Sequence, residues 1–323
     1  MRWPRRHGAD KVWLSESEIA AAYRRRLMAA DDQAARLREV EREAVLTTAT
    51  TSAQSRWPLP LLVVSLAPDL PGDLLLDAET VRAFTSRTRQ EIAMVGGLSS
   101  TFEETSVAHR RLIAEAGGNT RMAVRAQLYT DGAGTFAMHP SSVNVANAPA
   151  QEDEAESFRV RVLDAEVVDR VASALRYLAR HARDQAAVHG SALLRVMLVS
   201  DTHLHPDVQP YAVREAAPYT FPGFERYRVA LDTPAQGGAR PVGTRFSRLA
   251  YGESHAHLDD LADDGLSLTR ATARLVDDLF QTYGLPQNRQ IRQDGTVNEH
   301  AWGEHWTSIK RWVSAADIPV AAA

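Results

Sequence analysis

The chain reads as an α+β protein: an antiparallel or mixed sheet with flanking helices, preceded by one long amphipathic helix. Three observations predict this. Short apolar or alternating runs of strand length recur at 61–67, 121–129, 135–139, 157–164, 191–199 and 227–232. Two of them are joined by TDGAG, a hairpin signal. Between the runs lie segments with apolar residues at helical spacing, so helices interleave with the sheet rather than forming a separate bundle.

In order, Ser15 with Glu18 three residues on is a capping-box signature. Ile19, Ala22, Tyr23, Leu27, Leu37, Val40 and Ala44 then form one stripe of a long helix. TTATTSAQS (47–55) is polar and linker-like. It suggests a division into residues 1–50, a strand pair with a connecting helix, and residues 57–323, an α+β body. LLVVSLA is a buried strand followed by the turn cluster APDLPGD, and Asp77 opens a short helix through Phe84. The acidic stretch 145–157 is a loop, and SFRVRVLD alternates as an antiparallel strand does. Asp164 caps a helix that turns Val167, Val168, Val171, Leu175 and Leu178 inward. Residues 266–283 form a last helix, closed by Gly284 and Pro286. Trp302 and Trp306, one helical turn apart, read as core or interface.

Composition narrows the function classes. With 323 residues and 44% apolar content, the chain is long enough for one large or two ordinary cores. There is no cysteine, which excludes disulfides, thiolate zinc sites and iron–sulfur clusters. The start has charge but no apolar signal-peptide region, and LPLLVVSLAP (59–68) is half a membrane span. These features predict a cytoplasmic protein with no membrane partner. The net charge of −4 is uneven. Residues 1–26 hold seven basic against three acidic side chains, and the remainder 30 against 38. An anion-binding surface, if present, begins at the N-terminus.

Histidines raise a metal reading. In LLRVMLVSDTHLHPD a strand runs into Asp201, His203 and His205, which share one side of an extended segment. A second such pair is His255 and His257 in SHAHLDD, with His300 and His305 further on. These ligand types suit zinc, manganese or iron, as in a metal-dependent phosphoesterase or hydrolase. No GDxxD, GNHD-type or GHxH segment follows, and the stretch before His255, RFSRLAYGE, is not a clean buried strand. The histidine pairs therefore read as a strand end and a loop, and the hydrolase stands as the alternative. No P-loop, dinucleotide fingerprint or G-x-S-x-G occurs.

Residues 3–26, WPRRHGADKVWLSESEIAAAYRRR, are more specific. They resemble the closing piece of the Schlafen-type AlbA-like domain of bacterial ATP-binding or DNA-binding proteins. Arg6, Gly8 and Ala9 match its R-x-G-[S/A] part; Leu14, Ser15, Glu18 and Ile19 match its helix opening. The APDLPG turn and LYTDGAG hairpin resemble the C-terminal region of actinobacterial members. The resemblance places the rest of that domain before Arg6. It implies ATP only together with such an upstream domain, and no cofactor for the body. Arg6, Gly8 and Lys11 are the positions carried over for nucleotide or nucleic acid, with weak binding expected. An arginine offers a phosphate two parallel bonds, and a glycine lets backbone amides approach. The strand pair's open edge also suggests self-association or a protein partner. The expected function is a non-enzymatic accessory, regulatory or sensor module.

Overall fold

The protein's computed structural model describes residues 3–7, 10–14, 16–52, 60–91, 93–95, 102–116, 124–140, 144–147, 158–199, 228–235, 238–247 and 249–321. A hairpin of β1 (Trp3–His7) and β2 (Asp10–Leu14) leads into α1 (Glu16–Ser52). Next come β3 (Leu61–Pro68), α2 (Ala78–Gln90), β4 (Glu104–Ala108), β5 (Arg111–Ala116), β6 (Val124–Tyr129) and β7 (Gly134–Met138). After β8 (Asn144–Asn147) and β9 (Phe158–Leu163), helix α3 (Asp164–Arg180) continues into a π-helical turn, His181–Gln185. Strands β10 (Ser191–Val199), β11 (Arg228–Ala235), β12 (Gly238–Ser247) and β13 (Leu249–His257) follow. The chain closes with α4 (Leu258–Ala262), α5 (Leu266–Gln281) and α6 (Trp306–Ala315).

Seven strands form one sheet in the order β13-β10-β3-β7-β6-β5-β4, and every neighbouring pair is antiparallel. With helices against it, this is the α+β architecture the sequence predicts. A second sheet, β12-β11-β9-β8, is mixed: β9 runs antiparallel to β8 and parallel to β11. The centre of the large sheet follows from β3 itself. Leu62, Val64 and Leu66 face one side, while Leu61, Val63 and Ala67 face the other, and all are buried. A strand covered on both faces has to be apolar at both parities; Ser65 is the exception.

One face carries the main core, built from α3 and α5. Phe136 of β7 packs against Phe102 and Tyr177, with ring centroids 5.9 and 5.6 Å away. Helix α3, expected to be one-sided, is buried almost all round. Its polar groups consequently find partners inside: Ser173 Oγ donates to Asp169 O at 2.7 Å and accepts Val95 N–H, and Arg176 binds Asp264 at 2.9 Å. Helix α5 sits on β13 at Gly252, where an added Cβ would meet Leu275 O at 2.4 Å and Leu279 N at 2.7 Å. Both are backbone atoms and cannot rotate aside. Gly252→Ala is therefore expected to lower stability by about 2 kcal/mol in chemical denaturation. An unchanged midpoint would mean that the helix does not seat there. The helix ends as predicted, with Gly284 at φ 81° and Leu285 N–H returning to Phe280 O.

The other face is covered by α1 through Leu37, Val40, Ala44 and Val45. The polar run at 47–55, expected as a linker, is helical as far as Ser52, and Thr47 Oγ1 donates back to Glu43 O. Other expectations also need correction. Asp77 does cap α2, accepting Thr80 N–H at 2.8 Å, but the helix runs on to Gln90 because Phe84 and Thr88 bury one stripe. Residues 249–253, just before His255, are strand, though as expected not a buried one. At the sheet edge, β13 buries only alternate residues, so its sequence lacks a continuous apolar run. The β4–β5 hairpin turns through Arg110 at φ 54°, without the Asn-Gly or Asp-Gly that marks such turns.

Candidate functional site

Of the residues carried over from the AlbA-like resemblance, Arg6 and Lys11 lie directly opposite each other on β1 and β2. Gly8, between the strands, lies outside the described residues, as do Asp201, His203 and His205. His255 and His257 are exposed on one side of β13, opposite Leu193 and Ser191. Among the described residues no group of three or more His, Cys, Asp or Glu side chains is placed to hold a metal ion. Among them, too, no helix is long and apolar enough to cross a membrane.

The structure instead brings together polar residues that no motif marks. On the face beneath α1, register aligns Glu253, Arg195, Ser65, Thr135 and Gln127 in one row across β13, β10, β3, β7 and β6. Glu41 of α1 lies over it. Its carboxylate, 2% exposed, accepts Arg195 Nη1 at 2.8 Å, and Arg195 Nη2 reaches Glu253 at 2.6 Å. Further bonds flank the row. Gln33 donates to Ala67 O and Asp69; Arg36 pairs with Asp131 at 2.8 Å and lies 4.6 Å from the Tyr129 ring centre. Glu43 accepts Arg111 at 2.7 Å, and Arg111 also donates to the Tyr129 hydroxyl.

The row is only partly satisfied. Thr135 Oγ1 and Gln127 Nε2 are buried without a hydrogen-bond partner among the described residues, while the Ser65 hydroxyl lies close enough to the Glu41 carboxyl to lower its pKa. Each such group costs about 1–3 kcal/mol. The large apolar anchors of α1, Leu37, Val40 and Val45, contribute roughly 2 kcal/mol apiece. These costs offset part of the anchoring of α1, to which the Glu41–Arg195, Arg36–Asp131 and Glu43–Arg111 pairs also contribute.

Burial pushes the Glu41 carboxyl up to about 7, against the pull of Arg195 and the Ser65 hydroxyl, while the Glu253 charge adds to the rise. The unfolded carboxyl titrates near its ordinary 4.5. A folded pKa above the unfolded one gives stability that is fully present below the unfolded value and is lost as pH rises through the folded value. Docking of α1 is thus expected to weaken between pH 5 and pH 8. In Glu41→Gln this part of the pH dependence should vanish, as read by denaturation midpoints at the two pH values; an unchanged slope would remove Glu41 as its source.

No protein-family model matches the chain at a significant level, and neither does any curated protein or solved structure.

Proposed function

We propose that the chain is a cytoplasmic, non-enzymatic accessory or regulatory module in which α1 connects the N-terminal hairpin to the state of the body. The observation that carries this reading is that α1 covers a buried, partly unpaired polar row, with one carboxyl titrating near neutrality. An element held in this way opens separately from the core, as moving parts of regulated proteins do. A physical link to the opposite face supports it. Arg36 of α1 holds Asp131 and lies against Tyr129; from the other side, His181 donates to Tyr129 O at 2.8 Å. Gly132 in the same turn, at φ 84°, would meet Val188 with any side chain. The β6–β7 turn is therefore gripped from both faces at once.

The resemblance of residues 3–26 attaches this module to nucleotide- or nucleic-acid-linked AlbA-like proteins, with ATP entering only through an upstream domain. The positive charge of residues 1–26 offers few phosphate contacts, and the body carries opposing charge. Binding to duplex DNA is expected to be weak, without sequence preference, and lost on raising salt from about 50 to about 200 mM. Fluorescence anisotropy on the intact chain and on a form lacking residues 1–26 tests this. Tight binding that survives the deletion would overturn it.

The non-enzymatic reading is tested by elemental analysis and a phosphodiester hydrolysis assay with added manganese. We expect well under one equivalent of metal and no turnover. Stoichiometric metal and manganese-dependent turnover, both lost on His203→Ala or His255→Ala, would establish the hydrolase instead.

A further inference from the structure

The two edges of the seven-stranded sheet are finished differently. A strand with one neighbour leaves N–H and C=O groups of alternate residues turned outward, a template for another strand unless something occupies them. At the β13 edge they are occupied. The Glu253 N–H donates to the Asp278 carboxylate at 2.8 Å, and α5 packs directly against Gly252.

The β4 edge has no such cover. Its five residues, Glu104–Ala108, pair with β5 in unbroken register, with no bulge, proline or glycine to bend the strand away. Among the described residues nothing bonds to their outward backbone groups. One side-chain bond is made, 3.0 Å between the Thr105 and Thr85 hydroxyls on the α2 face. Glu104, Ser106 and Val107 are exposed, and the β-branched Val107 stands 47% open to solvent.

Charge decides which strand fits this edge. Glu103 and Glu104 stand at one end of β4, His109 and Arg110 at the other. The ion pairs nearby are Glu115–Arg125 and Arg111–Glu43, and neither Glu104 nor Arg110 forms one among the described residues. An antiparallel copy of the same strand sets acidic end against basic end on both sides of a twofold axis. The register that joins all five residues puts Ser106 opposite Ser106, Thr105 opposite Val107 and Glu104 opposite Ala108. Arg110 then falls diagonal to Glu104 of the other copy, at a spacing long side chains span.

We propose that β4 pairs antiparallel with β4 of a second copy, joining two seven-stranded sheets into one. The Thr105–Val107 cross-strand pairs cover the exposed valine, and the axis passes beside Ser106. Five residues per chain bury less than the roughly 1,200 Å² of a stable interface, so the dimer is weak and concentration-dependent. This interface lies at the sheet edge away from α1 and does not rest on the regulatory reading.

Sedimentation velocity on the intact chain, in a concentration series up to about 1 mM, should show a reversible monomer–dimer equilibrium. Ser106→Asp sets two carboxylates face to face at the axis and should weaken it about tenfold. Arg110→Glu should also weaken it, and adding Glu104→Arg to that variant should restore it. The chain has no cysteine, so Ser106→Cys reads the register itself. Opposed Cα atoms lie about 4.5–5.5 Å apart, within disulfide range, and mild oxidation should link the two copies. Cysteine at Val320, 43% exposed elsewhere on the molecule, should leave monomers. A monomer at every concentration, a dimer indifferent to Ser106→Asp, no rescue by Glu104→Arg, or equal cross-linking of the two cysteine variants would each overturn the proposal.

Discussion

Arg195→Ala is expected to lower stability by about 3 kcal/mol at pH 8, because it strands a buried carboxylate. Glu41 is 2% exposed, and its ion pair with Arg195 is the contact that offsets its desolvation. Removing a surface arginine would cost a few tenths of this. The loss should shrink toward pH 5, where Glu41 takes up a proton and no longer needs a partner. It should also shrink in the double variant Arg195→Ala, Glu41→Gln, in which no buried charge remains. Denaturant midpoints for the four proteins at both pH values decide it. A loss below about 1 kcal/mol at pH 8, or one independent of pH, would show that the pair does not set the energetics of α1.

Phe136→Ala is expected to cost about 4 kcal/mol, and the loss should behave differently. Phe136 is fully buried on the opposite face, opposite Val64 and Ala126 in register and enclosed by Phe102 and Tyr177. Its removal leaves a cavity between α3 and three strands that meet at the centre of the sheet. The whole body should therefore lose stability cooperatively, with an unchanged denaturant slope and no dependence on pH between 5 and 8. A loss under about 1.5 kcal/mol would mean that the ring cluster is not a keystone of the core.

The contrast between the two faces explains what the sequence could disclose. Strands β3 and β10 are legible because both of their faces are covered, so apolar residues run almost unbroken through them. The β6–β7 hairpin is legible through TDGAG, and the end of α5 through Gly284. Edge strands are harder. In β13, Glu253, His255 and His257 alternate outward, and this spacing, which resembles metal ligands in the sequence, is also that of one exposed sheet face. The polar row could not be read at all. Arg195, Ser65, Thr135 and Gln127 sit one to a strand, up to 130 residues apart in the chain, and only the register places them side by side. Glu41 looks like an ordinary charge on the outer side of a helix until the sheet is beneath it. The π-turn is equally silent, since HARDQ differs in no local way from the helix it extends.

The proposed regulatory role requires α1 to be held separately from the core. Amide hydrogen exchange of residues 33–46, followed together with β3 and β10 on the intact chain at pH 8, decides this. The α1 amides are expected to exchange through an opening of lower free energy than the strands, and Arg195→Ala is expected to speed them while the strand amides stay protected. If α1, β3 and β10 exchange with one common free energy in both proteins, α1 is an inseparable part of the core, and its role as a regulatory connection is contradicted.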